Sequence, residues 1–172
     1  DFSYFIPELK GLDERLGIRG VFKGSVGDCS IKGLELSLMD DTRFKGNVEI
    51  TGLPDIKNAY FFVDVKRMNT SYADLSNIPL YPFYSKKKLS LPESIKTVGL
   101  ITYRGKFSGY INDIVSYGEI TTALGSINTD VLIKTDKLSS QIGITGKIIA
   151  HDFLAGKIGN LYPRVGMLDL DM

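Results

Sequence analysis

One cysteine, one histidine and no tryptophan occur in the 172 residues, and these shortages exclude whole classes of chemistry. Cys29 alone forms no internal disulfide, so the chain is not a small scaffold stapled by bridges. His151 alone leaves no multi-histidine metal site. A Cys29–His151 couple is the one thiol–imidazole pair the chain could build; His151 is expected at a strand end and Cys29 as an inert residue of a turn or strand start. Charge of one sign is also lacking. Lys plus Arg is 21 against 20 for Asp plus Glu, a net charge of +1, so a broad basic footprint for nucleic acid is missing. No apolar run approaches the roughly 18 residues of a membrane span. The segment Gly105-Lys106-Phe107-Ser108-Gly109 lacks the spacing and following helix of a phosphate loop, and Asp169-Leu170-Asp171 is one face of a strand start rather than a ligand pair. These absences predict no catalytic, cofactor-binding or metal-binding residues, and a protein that is not an enzyme.

What is present is a β-pattern with glycine punctuation. The chain has 18 Gly, nine Tyr and nine Phe. Between Gly99 and Asp136, short alternating runs are broken by Gly, Asn and Asp about every ten residues, the pattern of an antiparallel meander. Gly17–Gly52 repeats it: Gly20 and Gly24 fall on Gly105 and Gly109, Asp28 on Asp113, and Gly33 on Gly118. Val48–Ile50 falls near Val131–Ile133. A third copy starts near Gly166 and breaks off at Met172. The expected organisation is a first unit over 1–69, a connector over 70–98, a second unit over 99–160 and the start of a third over 161–172, the whole being a piece of a longer repeat protein. Pro7-Glu8 and Pro92-Glu93 each introduce a unit, with Pro favoured in a first helical turn.

Strands are predicted at Ile18–Lys23, Leu34–Leu38, Phe44–Thr51, Ala59–Lys66, Val115–Thr122, Ser126–Lys134 and Ile142–Ala150, with Ile101 and Tyr103 in a further strand. Phe61, Val63 and Val65 share one face, and Tyr60, Phe62 and Asp64 the other; with apolar residues on both sides, this strand is expected to be covered on both. Residues 70–92 carry three prolines and Lys86-Lys87-Lys88, which predict a connector without regular structure. The stretch from Asp152 to Ile158 leaves the period of two and is expected to turn helical. The apolar members of the alternation are Leu34, Leu36, Leu38, Val48, Ile50, Phe61, Val63, Val65, Ile101, Tyr103, Val131, Ile133, Ile142, Ile144 and Ile148. Periodicity alone favours reading them as the core of a closed sandwich or small barrel, and a one-residue register slip would swap the faces.

The second unit, with its opening Gly105-Lys106-Phe107-Ser108-Gly109 and the run from Thr122 to Lys134 (TALGSINTDVLIK), resembles the repeat of AsmA-like proteins, in particular the TamB type of the Bacteroides group. Phe153-Leu154-Ala155-Gly156-Lys157 matches the closing element of that repeat imperfectly. Gly20-Val21-Phe22-Lys23-Gly24 matches the opening element with its aromatic shifted. The resemblance brings no catalytic residue.

It implies an all-β fold in which a long, mainly antiparallel sheet curls into a U-shaped trough, a β-taco, with an apolar inside. It implies a segment of a periplasmic, inner-membrane-anchored protein that carries phospholipid acyl chains and works with an outer-membrane barrel of the TamA type. The alternating residues above are then the groove lining. A uniform apolar lining holds acyl chains at about 0.8 kcal/mol per buried methylene without fixing their position. Two alternatives stand beside this. One is a chaperone module that pairs its edge strands with nascent outer-membrane strands. The other is a closed β-sandwich binding domain. Exposed edges also predict an edge-mediated dimer of the isolated segment.

Overall fold

The structure, a computed structural model, describes residues 16–77, 88–89, 91, 93–135, 142–157 and 168–171. The expected helical turn after Pro7, the Lys86–Lys88 triplet apart from Lys88, and residues 136–140 of the polar hairpin expected over Lys134–Ser140 lie outside the described residues.

Alternation of apolar and polar residues, interrupted by Gly, Asn and Asp, folds into strands joined by short turns. The strands are β1 (Leu16–Gly24), β2 (Asp28–Leu38), β3 (Thr42–Thr51), β4 (Tyr60–Ser71), β5 (Leu100–Tyr110), β6 (Asp113–Thr122), β7 (Gly125–Thr135), β8 (Ile142–Phe153) and β9 (Leu168–Asp171). They form one nine-stranded sheet in which each strand pairs with the next in sequence, every pairing antiparallel. The sheet is open, with β1 and β9 at its edges. The class is therefore all-β, and a sandwich or closed barrel is not formed among the described residues. The expected double cover of β4 is corrected on the same ground. Tyr60 is 42% exposed, because no second layer among the described residues lies upon its face.

Three bulges set the register. Between Ile31 and Leu34 of β2, Lys32 and Gly33 intervene, with Gly33 at φ 60. Its amide donates to Asn47 Oδ1 at 3.0 Å, so the bulge leaves no orphan donor. In β4, Lys66 is the extra residue between Val65 and Arg67. In β8, Asp152 at φ 50 precedes Phe153, where pairing with β9 shifts. The run from Asp152 is therefore a bulge first, and among its described residues Ala155–Lys157 form one 3-10 turn.

The connector after β4 contains regular structure within 70–92, contrary to expectation, and a helical turn at the Pro92-Glu93 element, where one was expected. Helix α1 spans Tyr72–Asn77 and a 3-10 helix spans Glu93–Val98. Six residues are too few for a helix to persist alone, and a buried carboxylate anchors this one. The Ser71 hydroxyl caps α1 by accepting the Asp74 amide at 3.2 Å. Asp74, 5% exposed, accepts through Oδ2 from the amides of Asp41 (2.9 Å) and Thr42 (2.7 Å) and from the Thr42 hydroxyl (2.8 Å). The helix is thereby tied to the β2–β3 turn. The 3-10 helix is tied to the β6–β7 turn, where the Ala123 amide donates to Val98 O at 3.1 Å. Val98 packs there with Leu124, Ala150 and Phe153 in the one buried apolar cluster found among the described residues.

Burial pushes the Asp74 carboxyl up, but the Thr42 hydroxyl and the amides of Asp41, Thr42 and Asp40 outweigh it and hold the group below the usual carboxylate range. A lowered folded value means the stabilisation is present above the unfolded value, about pH 4, and is lost as pH falls through the folded one. Asp74→Asn should therefore lower stability by about 1–3 kcal/mol at neutral pH. The gap to the unsubstituted protein should narrow below about pH 4. Urea denaturation at pH 7 and pH 3 measures both; a gap of equal size at the two pH values contradicts this assignment.

Candidate functional site: an apolar sheet face

Directly paired residues of neighbouring strands share a face, so the register sorts the side chains. One cross-strand row runs Ile18, Leu36, Phe44, Met68, Tyr103, Ile120, Ile127, Ala150, Leu170, one residue from each strand. A second runs Phe22, Ile31, Val48, Val63, Phe107, Ser116, Val131, Gly146. A third joins Cys29, Ile50, Phe61, Gly109, Ile114, Ile133 and Ile144. Between the first two runs Leu34, Gly46, Val65, Gly105, Gly118, Thr129, Ile148. None of these residues is charged.

The sequence-predicted residues fall on this one face. Leu34, Leu36, Val48, Ile50, Phe61, Val63, Val65, Tyr103, Val131, Ile133, Ile144 and Ile148 stand in the rows just given. Leu38 pairs with Thr42, Ile101 with Thr70, and Ile142 occupies the register position opposite Thr135, extending the same face. The periodicity reading missed Phe44, Met68, Phe107, Ile114 and Ile120. Phe107 and Ile120 were legible as members of the alternation. Met68 was not, because the Lys66 bulge reverses the phase before it.

The opposite face carries the charges. Arg19, Glu35, Lys45 and Arg67 form one row there, and Asp64 opposes Lys106, Arg104 opposes Glu119, Asp113 opposes Lys134, and Asp130 opposes Lys147. Lys45 reaches Glu35 at 2.7 Å and Lys134 reaches Asp113 at 3.6 Å. The Lys45 ammonium holds the Glu35 carboxyl below its ordinary value, and Lys66 does the same for Asp64. Cross-strand pairs of this kind contribute little individually, but they keep the polar side facing water.

Burial on the apolar face is graded. Leu34, Val65, Tyr103 and Val131, mid-sheet, are at most 7% exposed, while Ile18 and Phe22 on β1 and Ile144 on β8 are 58–60% exposed. Tyr103 is the polar exception at the middle. Its ring stacks on Phe107 at a centroid distance of 4.7 Å. Its hydroxyl lies within 3.2 Å of Ser116 Oγ and donates towards the carbonyls of Lys106 and Tyr117 at 3.3 and 3.2 Å. Burial pushes the pKa of this hydroxyl above the ordinary tyrosine value, so it stays protonated. To reach those partners the ring lies along the sheet over the Gly105–Gly118 pair. A Cβ on Gly118 would stand 2.7 Å from the Tyr103 hydroxyl and collide with the Arg104 carbonyl. The two glycines are thus the floor beneath the tyrosine.

His151 is exposed on β8 and Cys29 is buried on β2. No group of three His, Cys, Asp or Glu residues among those described is placed to hold a metal ion. No helix among the described residues is long and apolar enough to cross a membrane. No protein-family model, no curated protein and no solved structure matches the chain.

Gly118→Ala should cost about 2 kcal/mol, a fall of roughly 4–8 °C in melting temperature for a chain of this size. Gly143→Ala, whose Cβ would come no closer than 3.9 Å to the backbone of β7, should be within about 0.5 kcal/mol of neutral. Differential scanning calorimetry of the two variants distinguishes them; equal melting temperatures would show that the glycine floor is not needed.

Proposed function

We propose that the sheet curls about its charge-free face to make a trough for lipid acyl chains, within a periplasmic lipid-transfer protein of the AsmA/TamB-like kind. The observation that carries this reading is the continuity of the apolar rows: no charge interrupts them over the width of the sheet. An enzyme pocket needs a few convergent polar groups; a conduit needs a lining that is the same everywhere. Curling is favoured by the bulges in β2 and β4 and by the Gly105–Gly118 pair on the apolar face, devices that bend sheets. Side chains mid-sheet reach 3–7% exposure without a second sheet among the described residues, as expected where strands curve over a shared interior.

Strand boundaries fit a repeat unit of four strands. Asp28 opens β2 and Asp113 opens β6, the two positions aligned in the sequence, and Val48–Ile50 and Val131–Ile133 lie in the third strand of each group. The phospholipid cargo, the TamA-type barrel partner and the periplasmic site rest on the sequence resemblance. The open edges β1 and β9 favour a second reading, a module that adds a strand from another chain by β-augmentation. That reading includes the edge-mediated dimer.

Native mass spectrometry of the protein purified from bacterial cells, with lipid extraction, tests the trough. Phospholipid should co-purify with the unsubstituted protein and with Thr145→Asp on the polar face. It should be lost, by about tenfold or more, in Ile144→Asp. Ile144 is 60% exposed, so a charge there leaves the fold intact, whereas Val131→Asp would also disturb a buried position. Lipid-free protein, or equal lipid in both Asp variants, rejects the trough. Loss of partner or dimer association on placing proline in β1 instead supports the edge reading.

A further inference from the structure

The polar face departs from its own rule at one place. Elsewhere, charges that stand directly opposite one another are of opposite sign, as in Asp64–Lys106, Arg104–Glu119 and Asp130–Lys147. Between β3 and β4, Lys45 stands directly opposite Arg67. Like charges in that position destabilise a sheet. Both line a cavity of about 510 Å³ together with Arg19, Arg43 and Asn69, in which Glu35 is the one carboxylate among the described residues. Glu35 is engaged by Lys45 at 2.7 Å. Among the described residues, Arg19, Arg43 and Arg67 have no carboxylate within ion-pair distance.

The guanidinium groups are oriented rather than splayed. Arg67 Nε donates to Asn69 Oδ1 at 3.2 Å, and the same oxygen accepts from the Thr102 hydroxyl at 3.1 Å. Arg43 Nη1 donates to the Thr42 carbonyl at 2.8 Å. Each contact uses part of a five-donor fork and leaves the remaining N–H groups for another acceptor. Among the described lining residues, three arginines and a lysine against one glutamate leave an excess of three positive charges in a chain whose net charge is +1. A single carboxylate would neutralise one of them. A tetrahedral dianion suits donors that come from neighbouring strands out of one plane, and arginine is the residue that binds phosphate in this way.

We propose that this cavity is a binding site for a phosphate-ester anion, held by Arg43 and Arg67 with Arg19 and Lys45 around it. The four cations stand on the face opposite the apolar rows, at the register of Ile18, Leu36 and Phe44, and the site does not depend on the lipid reading. The phosphate is that of a soluble phosphorylated molecule or of a lipid headgroup presented at a membrane surface.

Two assays on the whole chain separate these sources. Calorimetric titration with inorganic pyrophosphate probes soluble phosphate; flotation with phosphatidylcholine vesicles, with and without phosphatidic acid, probes the headgroup. Each is repeated on the R43Q/R67Q double variant and on R104Q, which removes a cation standing opposite Glu119 on the same face, outside this cavity. Pyrophosphate binding that falls tenfold or more in the double variant but not in R104Q supports a soluble ligand. Flotation that requires phosphatidic acid and is lost only in the double variant supports the headgroup. No binding in either assay, or equal losses in the double variant and R104Q, overturns the site. Since Lys45 and Arg67 oppose each other, the double variant should melt at or above the temperature of the unsubstituted protein. A lower melting temperature with undiminished binding assigns the arginines to the fold and likewise overturns the proposal.

Discussion

The structure depends on parity. Each strand of the sheet hydrogen-bonds only to its neighbours in sequence, and side chains alternate between faces with a period of two. A slip of one residue at any pairing would carry the charges of one strand into the apolar rows. The cost of a buried, unpaired charge amounts to several kcal/mol, so the alternation itself selects the register. Where a bulge inserts a residue, the sequence changes phase at the same point. Cys29 and Ile31 are apolar at odd positions and Leu34, Leu36 and Leu38 at even ones. Phe61, Val63 and Val65 are followed by Met68 after the extra Lys66. The face is unbroken because pattern and bulge shift together.

This also explains how far the sequence could be read. Alternation away from bulges located β1, β3, β6 and β7 closely and put the predicted lining on one side, but of β2 it read only Leu34–Leu38, beyond the bulge. The reading of β4 stopped at Lys66, five residues before Ser71, because a period of two cannot be followed through a phase change without the partner strand in view. The same holds at Asp152, where a bulge looked like the onset of a helix. Helix α1 was illegible for a different reason. Nothing within Tyr72–Asn77 is strong enough to make a helix. Its anchor, Asp74, bonds to a turn 32 and 33 residues away, and tertiary contacts at that range leave no local pattern.

A single open sheet has a difficulty that a sandwich does not. Its apolar face must be covered by something, or be used. Short elements at one end, the 3-10 helix Glu93–Val98 and the segment around Leu154, cover the cluster of Val98, Leu124, Ala150 and Phe153. The polar spot on the rest of the face is closed internally, since the Tyr103 hydroxyl is turned back onto Ser116 and two carbonyls. What remains at β1 and β8 is apolar and exposed at Ile18, Phe22 and Ile144. Exposed apolar side chains in contiguous rows, rather than scattered singly, are the surfaces on which binding partners are found.

The two faces therefore divide the chemistry between them. On the apolar face uniformity is the informative feature, since any charge would both destabilise the register and interrupt a sliding ligand. On the polar face uniformity would be balanced charge, and the deviation at Lys45 and Arg67 is what carries information. Folding alone gives no reason to set two cations across from each other when every other directly opposed pair of charges attracts. The register forbids moving either residue to the other face, and Glu35 engages Lys45 but leaves the arginine charge unmatched, so an added anion would relieve what remains. The chain keeps both cations and steers the neighbouring guanidiniums with neutral acceptors, Asn69 Oδ1 and the Thr42 carbonyl. Neutral acceptors orient an arginine without cancelling its charge, and that combination leaves the charge for an anion that is not part of the chain.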